Sequence, residues 1–148
     1  MQEVTAAMLT PQIERLEHIK NVHVENWKLL HSLVSGHDNI EVPMPLPQVD
    51  SFCDTMQFHL VGLSREKADQ FIDVMKMEGI PMQIFGAKRN ARDYRQWEYV
   101  EAHKEELGDT IANIEFACDL SLQPHLTLEN MRTIAQVLHE VLAYINAQ

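Results

Sequence analysis

Residues 58–85 read FHLVGLSREKADQFIDVMKMEGIPMQIF, and this stretch carries the decision about the fold. The run Phe58-His59-Leu60-Val61-Gly62-Leu63 is short and largely apolar, and is a strand candidate. Ser64 follows in the position of a helix N-cap, where a hydroxyl accepts a hydrogen bond from an otherwise unpaired backbone N–H. Over residues 65–78 the apolar side chains Ala68, Phe71, Ile72 and Met75 recur at helical spacing, and Gly79 stands just past the end, as a C-terminal glycine does. Ile80 to Phe85 then reads as a second strand. Strand, helix and strand in this order make a crossover unit whose sheet sense the residues leave open.

Upstream, residues 11–34 read as one long helix, with Thr10 as its cap and Pro11 in the first helical position, where the missing N–H costs nothing. Leu16, Ile19, Trp27, Leu30 and Val34 follow the helical period, His23 lies on the same stripe, and Gly36 stops it. Residues 1–9 also favour helix, so an alternative stands in which Pro11 marks a kink between two helical pieces. Three alternating prolines, Pro43, Pro45 and Pro47, force an extended segment after it. Downstream, residues 94–107 read as a moderately amphipathic helix and 109–118 as a shorter one, and Leu120-Ser121-Leu122 as a brief strand. Thr127 caps a last helix that buries Met131, Ile134, Leu138, Val141, Leu142 and Ile145. The fold class expected is α+β, with a small sheet of short strands packed with helices and a long N-terminal helix, over residues 1–148 as a single domain.

With 45% hydrophobic and 23% charged residues the composition is that of an ordinary globular protein. A net charge of −10 gives a surface that repels nucleic acid and anionic membrane, so neither is an expected partner. No run of about 18 apolar residues is present and the N-terminus lacks signal-peptide features, so the cytoplasm is the default compartment. Two cysteines, Cys53 and Cys118, are too few for a disulfide scaffold or a zinc site. The eight histidines are scattered, with no His-x-x-x-His pair on one helical face, which argues against a metal-dependent hydrolase and leaves no metal ligands to name. The carboxylates show no paired spacing for acid–base work, and Gly62-Leu63-Ser64 is a cap sequence, not a nucleophile elbow.

Against this acidic background, Lys88, Arg89, Arg92 and Arg95 crowd into eight positions where the second strand gives way to glycine and then to a helical pattern. Backbone N–H groups and guanidinium forks converge on anions at such junctions, so Lys88, Arg89, Asn90, Arg92 and Arg95 are the candidate substrate-binding residues. The simpler reading is a solvated turn whose arginines pair with Asp93, Glu98 and Glu101. Tyr94, Trp97 and Tyr99 either pack against a ligand or belong to the core, which is the commoner use of such residues.

The chain also resembles the C-terminal part of the DegT/DnrJ/StrS-type aminotransferases, pyridoxal-phosphate enzymes that aminate keto sugars. Residues 1–9, MQEVTAAML, followed by Gln12-Ile13-Glu14-Arg15-Leu16, are similar to that family's Asn-x-Arg-Met segment and the Ala-Ala helix after it. Cys118-Asp119-Leu120-Ser121-Leu122-Gln123-Pro124-His125-Leu126-Thr127 is similar to its closing strand, with Leu128-Glu129-Asn130-Met131 opening the final helix. Two features depart from the pattern: Pro11 falls where family helices run unbroken, and residues 85–95 replace the more usual His-Tyr or Tyr-Pro motif of the substrate loop.

The resemblance implies a small domain that closes a substrate site and contributes dimer contacts. It also implies that the Schiff-base lysine, its aspartate partner and most phosphate-binding residues lie upstream of the matched segment. None of Lys20, Lys28, Lys67, Lys76, Lys88 or Lys104 falls at the family's lysine position, so no catalytic residue is assigned, the cofactor-binding residues are unassigned, and pyridoxal phosphate is not expected on this chain alone. The expected partners are a second copy or a chain carrying the cofactor-binding domain. The alternative is a non-catalytic binding or assembly module derived from that family, with Met1, Val4 and Met8 as contact points.

Overall fold

The computed structural model describes residues 3–87, 90–99 and 107–148. Helix α1 (Glu3–Glu14) and helix α2 (Leu16–Val34) lead into strand β1 (Ile40–Glu41) and strand β2 (Thr55–Leu60). Helix α3 (Arg65–Met77), strand β3 (Met82–Ile84), a 3₁₀ turn (Tyr94–Gln96), helix α4 (Gly108–Ile114), strand β4 (Ala117–Ser121) and helix α5 (Leu128–Asn146) complete the described chain. This is the α+β class expected, a four-stranded sheet packed with helices.

The strand order is β1-β2-β4-β3. Both β2 and β3 run antiparallel to β4, which settles the crossover unit: β2 and β3 are parallel to each other, with β4 inserted between them. Pleating divides the sheet into two faces. Met56, Phe58 and Leu60 of β2, Cys118 and Leu120 of β4, and Met82 and Ile84 of β3 are all buried. Their burial, at about 1.5–3 kcal/mol for each large side chain, joins the sheet to α2, α3 and α5 in one core. The other face carries Gln57, Asp119 and Gln83 in one cross-strand row.

The caps read at Ser64 and Thr127 are both present. Ser64 Oγ accepts from the Lys67 N–H, and Thr127 accepts from Asn130 N–H while the Asn130 side chain returns a bond to Thr127, a reciprocal capping box. The apolar positions read for the second and last helices are all buried. Asn26 sits on the buried face of α2 because its amide donates to the Leu126 carbonyl at 2.8 Å, joining the long helix to the turn before α5.

Several boundaries differ from the sequence reading. Of the two readings of the N-terminus, the structure shows two helical pieces: Pro11 lies inside α1, and the break falls at Arg15. Thr10 is therefore no cap, its hydroxyl donating instead to the Ala6 carbonyl one turn back. The first strand lies three residues earlier than 58–63, at Thr55–Leu60, because Gly62 takes φ +72° and turns the chain toward α3. The second is shorter than 80–85, since the Ile80 N–H is spent on the Met75 carbonyl at the end of α3 and Pro81 has none to give.

The strand read at 120–122 is longer and central, at Ala117–Ser121, and α4 accordingly ends before it. Its buried run Cys118-Asp119-Leu120 lacks the alternation of a half-exposed strand. In place of the helix read over 94–107, residues 94–96 form a single 3₁₀ turn; residues 100–106 of that reading lie outside the described residues. Among the described residues no helix is long and apolar enough to cross a membrane.

Candidate functional site at the end of strand β3

Beyond β3 the chain makes a tight passage. Gly86 donates its N–H to the Ile114 carbonyl at 2.8 Å, and a Cβ at this position would meet Glu115 Cα and the Ile114 oxygen at 3.0 Å. The loop that follows is built by Asn90. Its side-chain amide donates to the Ile84 carbonyl at 2.8 Å, and its oxygen accepts from the Arg92 N–H at 3.0 Å. Asn90 thus fixes the turn that launches Arg92.

The two described arginines of the basic run have different surroundings. Arg95 turns inward to Asp93, a carboxylate only 1% exposed. Asp93 accepts from the Arg95 main-chain N–H at 2.9 Å, from Nε at 3.0 Å and from Nη2 at 2.8 Å. Glu115 lies 3.6 Å from the same guanidinium. Burial alone would push the Asp93 carboxyl up, but the hydrogen bonds and charge of Arg95 together hold it below the usual carboxylate range.

Arg92 lies outward over the open face of the sheet. Nη1 is paired with Oδ2 of Asp119 on β4, and the guanidinium rests 5.3 Å from the centroid of the Phe85 ring. The Arg92 side chain remains 54% exposed, while Asp119 is 8% exposed. The second carboxylate oxygen, Oδ1, is buried without a hydrogen-bond partner.

A cleft of about 700 Å³ reaches both sides of the edge strand β3, lined by Asp73 and Lys76 of α3 and by Gln83, Asn90 and Asp119. A second, of about 710 Å³, lies on the Arg95 side, between Arg65, Asp93, Arg95 and Glu115.

The structure therefore brings Asn90, Arg92 and Arg95 together around the end of β3; Lys88 and Arg89 lie outside the described residues. Among the described residues, the carboxylates that face the Arg92 and Arg95 guanidinium groups are Asp93, Asp119 and Glu115. Of these the sequence reading named only Asp93 as a partner. Asp119 escaped because it is 27 residues from Arg92, and its one signal was a charge inside an apolar strand. Of the aromatic candidates, Trp97 donates to the Ala91 carbonyl at 2.6 Å and stacks on Tyr99, which is 82% exposed; Tyr94 is half-buried. These aromatic rings flank the loop outside the hydrophobic core.

Elsewhere, His23 is buried against Phe52 and the half-buried His139 stacks on His37, and among the described residues no three His, Cys, Asp or Glu side chains converge as a metal site. Burial pushes the Cys118 thiol up to about 12, which leaves it un-ionised and without nucleophilic character.

The sequence matches the family model described as the DegT/DnrJ/EryC1/StrS aminotransferase family over residues 1–139. No curated protein matches the chain in sequence. Among solved structures, the fold is similar to that of Spr1654 from Streptococcus pneumoniae, a protein assigned as a sugar aminotransferase. In its apo form the TM-score is 0.79 at 16% identity, over 99% of this chain and 36% of that one. It is also similar to PseC of Helicobacter pylori, an aminotransferase involved in pseudaminic acid biosynthesis (TM-score 0.76, 13% identity, 95% of this chain and 37% of that one). The aminotransferase TlmJ from Streptoalloteichus hindustanus is a third neighbour (TM-score 0.71, 17% identity, 92% and 35%). The chain thus spans little more than a third of the length of these relatives.

Spr1654 is also known in pyridoxal-phosphate and pyridoxamine-phosphate forms. The described lysines here do not fit such a group. Lys20, Lys28, Lys67 and Lys76 all stand on α2 or α3, and none is buried. The hydrogen bond from Lys20 to Asp50 raises its pKa, opposite to what a Schiff-base amine requires.

Proposed function

The chain belongs to the DegT/DnrJ/EryC1/StrS aminotransferase family, and from that premise we propose that residues 1–148 are the C-terminal small domain of a pyridoxal-phosphate-dependent sugar aminotransferase. Its work is to close the substrate site and to supply contacts at the dimer interface. It is catalytically incomplete by itself, because the cofactor-binding half, with the Schiff-base lysine, belongs to the part of the relatives that this chain does not cover. A cytoplasmic location and a partner carrying that half, or a second copy, go with this reading.

One observation carries the assignment of the site: the half-exposed Arg92 guanidinium, fixed by the Asn90 turn and lying over Phe85 at the end of β3. A guanidinium presents several N–H donors in one plane, which suits a carboxylate or a phosphate. Arg92 makes the direct contact, Asn90 aims it, and Arg95, tied to Asp93, keeps the loop in shape. Lys88 and Arg89 are proposed to add charge from the same loop.

Trp97 reports on this loop directly, through its bond to Ala91 beside Arg92. In a Trp27→Phe background, inorganic phosphate is expected to change Trp97 emission saturably, and Arg92→Ala to abolish the change, with some loss of thermal midpoint because Asp119 loses its cation. If Arg92→Ala shifts the midpoint and leaves the titration unaltered, Arg92 is structural.

A second reading rests on α1, which buries none of its residues and exposes Val4, Met8, Leu9 and Ile13. A 12-residue helix is marginal in water without packing. Such a face suits the non-catalytic assembly module, in which α1 docks a partner or a second copy. A soluble homodimer with no cofactor-bearing partner in its native source distinguishes this reading from the first.

A further inference from the structure

We propose that Asp119 is a resident competitor for the anion at Arg92: its carboxylate holds the guanidinium until an incoming oxyanion takes the arginine over. The inference deepens the reading of Arg92 as the anion contact and rests on it.

Three observations lead there. Arg95 is committed, since Asp93 engages its Nε, its Nη2 and its main-chain N–H, and Asp93 is nearly inaccessible. Arg92 has only Asp119 as a carboxylate partner among the described residues, and more than half of its side chain faces solvent. The backbone that launches Arg92 is held independently of the pair, by the two bonds of the Asn90 side chain. The guanidinium can therefore exchange partners by side-chain rotation alone, without remaking the turn.

Asp119 is equipped for the opposite role. It is more than nine-tenths buried on the central strand, and its second oxygen has no donor. A buried carboxylate with one unsatisfied oxygen depends on its cation, so it holds Arg92 back from any competing anion. An incoming ligand must replace a charge-assisted hydrogen bond, and it meets the negative charge that remains on Asp119. Exchange also leaves that charge facing the cleft shared with Asp73, Lys76 and Gln83, so the cost falls on the ligand side of the balance. The ligand class is an oxyanion, either a phosphate or a carboxylate.

The test titrates inorganic phosphate, and separately acetate, into the chain while the Arg92 Nε–H resonance is followed. Asp119→Asn keeps the shape and an acceptor oxygen but removes the charge. It is expected to tighten phosphate binding by about tenfold, the equivalent of one charge-assisted hydrogen bond no longer opposing the ligand. Arg92→Gln added to it should erase the gain. A smaller or absent response to acetate than to phosphate identifies phosphate as the source chemistry, and the reverse identifies a carboxylate.

Equal or weaker binding in Asp119→Asn overturns the competition and makes Asp119 a positioning residue. No response at Arg92 in either protein sinks the anion reading of Arg92 and this inference with it. Should Asp119→Asn fail to fold, the wild type decides: phosphate must move the Asp119 carboxyl carbon resonance with the same midpoint as Arg92 Nε. Movement at Arg92 without movement at Asp119 contradicts the exchange.

Discussion

Asp93 and Arg95, two residues apart, form a closed pair in which one carboxylate receives the main-chain N–H, Nε and Nη2 of the same arginine. The pair also supports the 3₁₀ turn at Tyr94–Gln96, for which Asp93 is the N-cap. It is the anchor from which the outward arginine, Arg92, is presented.

Asp93→Asn should therefore destabilise the protein by about 2 kcal/mol, since a buried acceptor of charged donors is being replaced by a neutral one. The pH dependence follows from the sign of its shift. A carboxyl held below its ordinary value, 3.8, contributes stability that is complete above that value and is lost as pH falls through the lower folded-state value. Urea unfolding at a series of acid pH values checks this: the wild type should lose stability below about pH 4, and Asp93→Asn should lack that component. Equal acid slopes would contradict it.

His139 stacks on His37 at a ring distance of 5.1 Å, and its Nε2 is buried without a partner. Burial first, and the charge of His37 second, lower its pKa from 6.5. The neutral ring is thus the form the fold accepts. The resulting stability is complete above the ordinary value of 6.5 and is lost as pH falls through the lower folded-state value. Urea midpoints taken between about pH 7 and pH 5 should fall in the wild type and stay flatter in His139→Gln. A variant that reproduces the wild-type slope removes His139 from the explanation.

Gly86 passes so close to the α4–β4 junction that an added methyl group would press on backbone, which cannot swing aside as a side chain can. Gly86→Ala is expected to cost about 1–3 kcal/mol, as overpacking does. It should also displace the loop that carries Asn90 and Arg92. Thermal unfolding measures the first effect, and the Trp97 emission maximum the second. A variant as stable as the wild type would show that the junction yields.

Local chemistry made much of the fold legible, and long-range pairing hid the rest. The caps at Ser64 and Thr127 and the apolar stripes of α3 and α5 are properties of neighbouring residues, so they could be read directly. Strand β4 was read too short because all of Cys118, Asp119 and Leu120 are buried, one of them by a side chain from another segment. At the α1–α2 break, four residues past Pro11, the Arg15 N–H turns to the Gln12 carbonyl at 3.2 Å, which no residue type there announces. At the site, the run 88–95 announced itself by charge. Its resting partner Asp119 did not, since nothing along the chain says which strand lies beneath a loop.

The central claim, that this is the substrate-closing small domain of a larger aminotransferase assembly, is met most directly by purifying the protein from its native source. A visible spectrum and the intact mass of every component are then recorded together. The account predicts a visible band from protein-bound pyridoxal phosphate, in a complex or longer chain that carries the cofactor-binding lysine as well as residues 1–148. A colourless protein of these residues alone, binding no such partner, would contradict it.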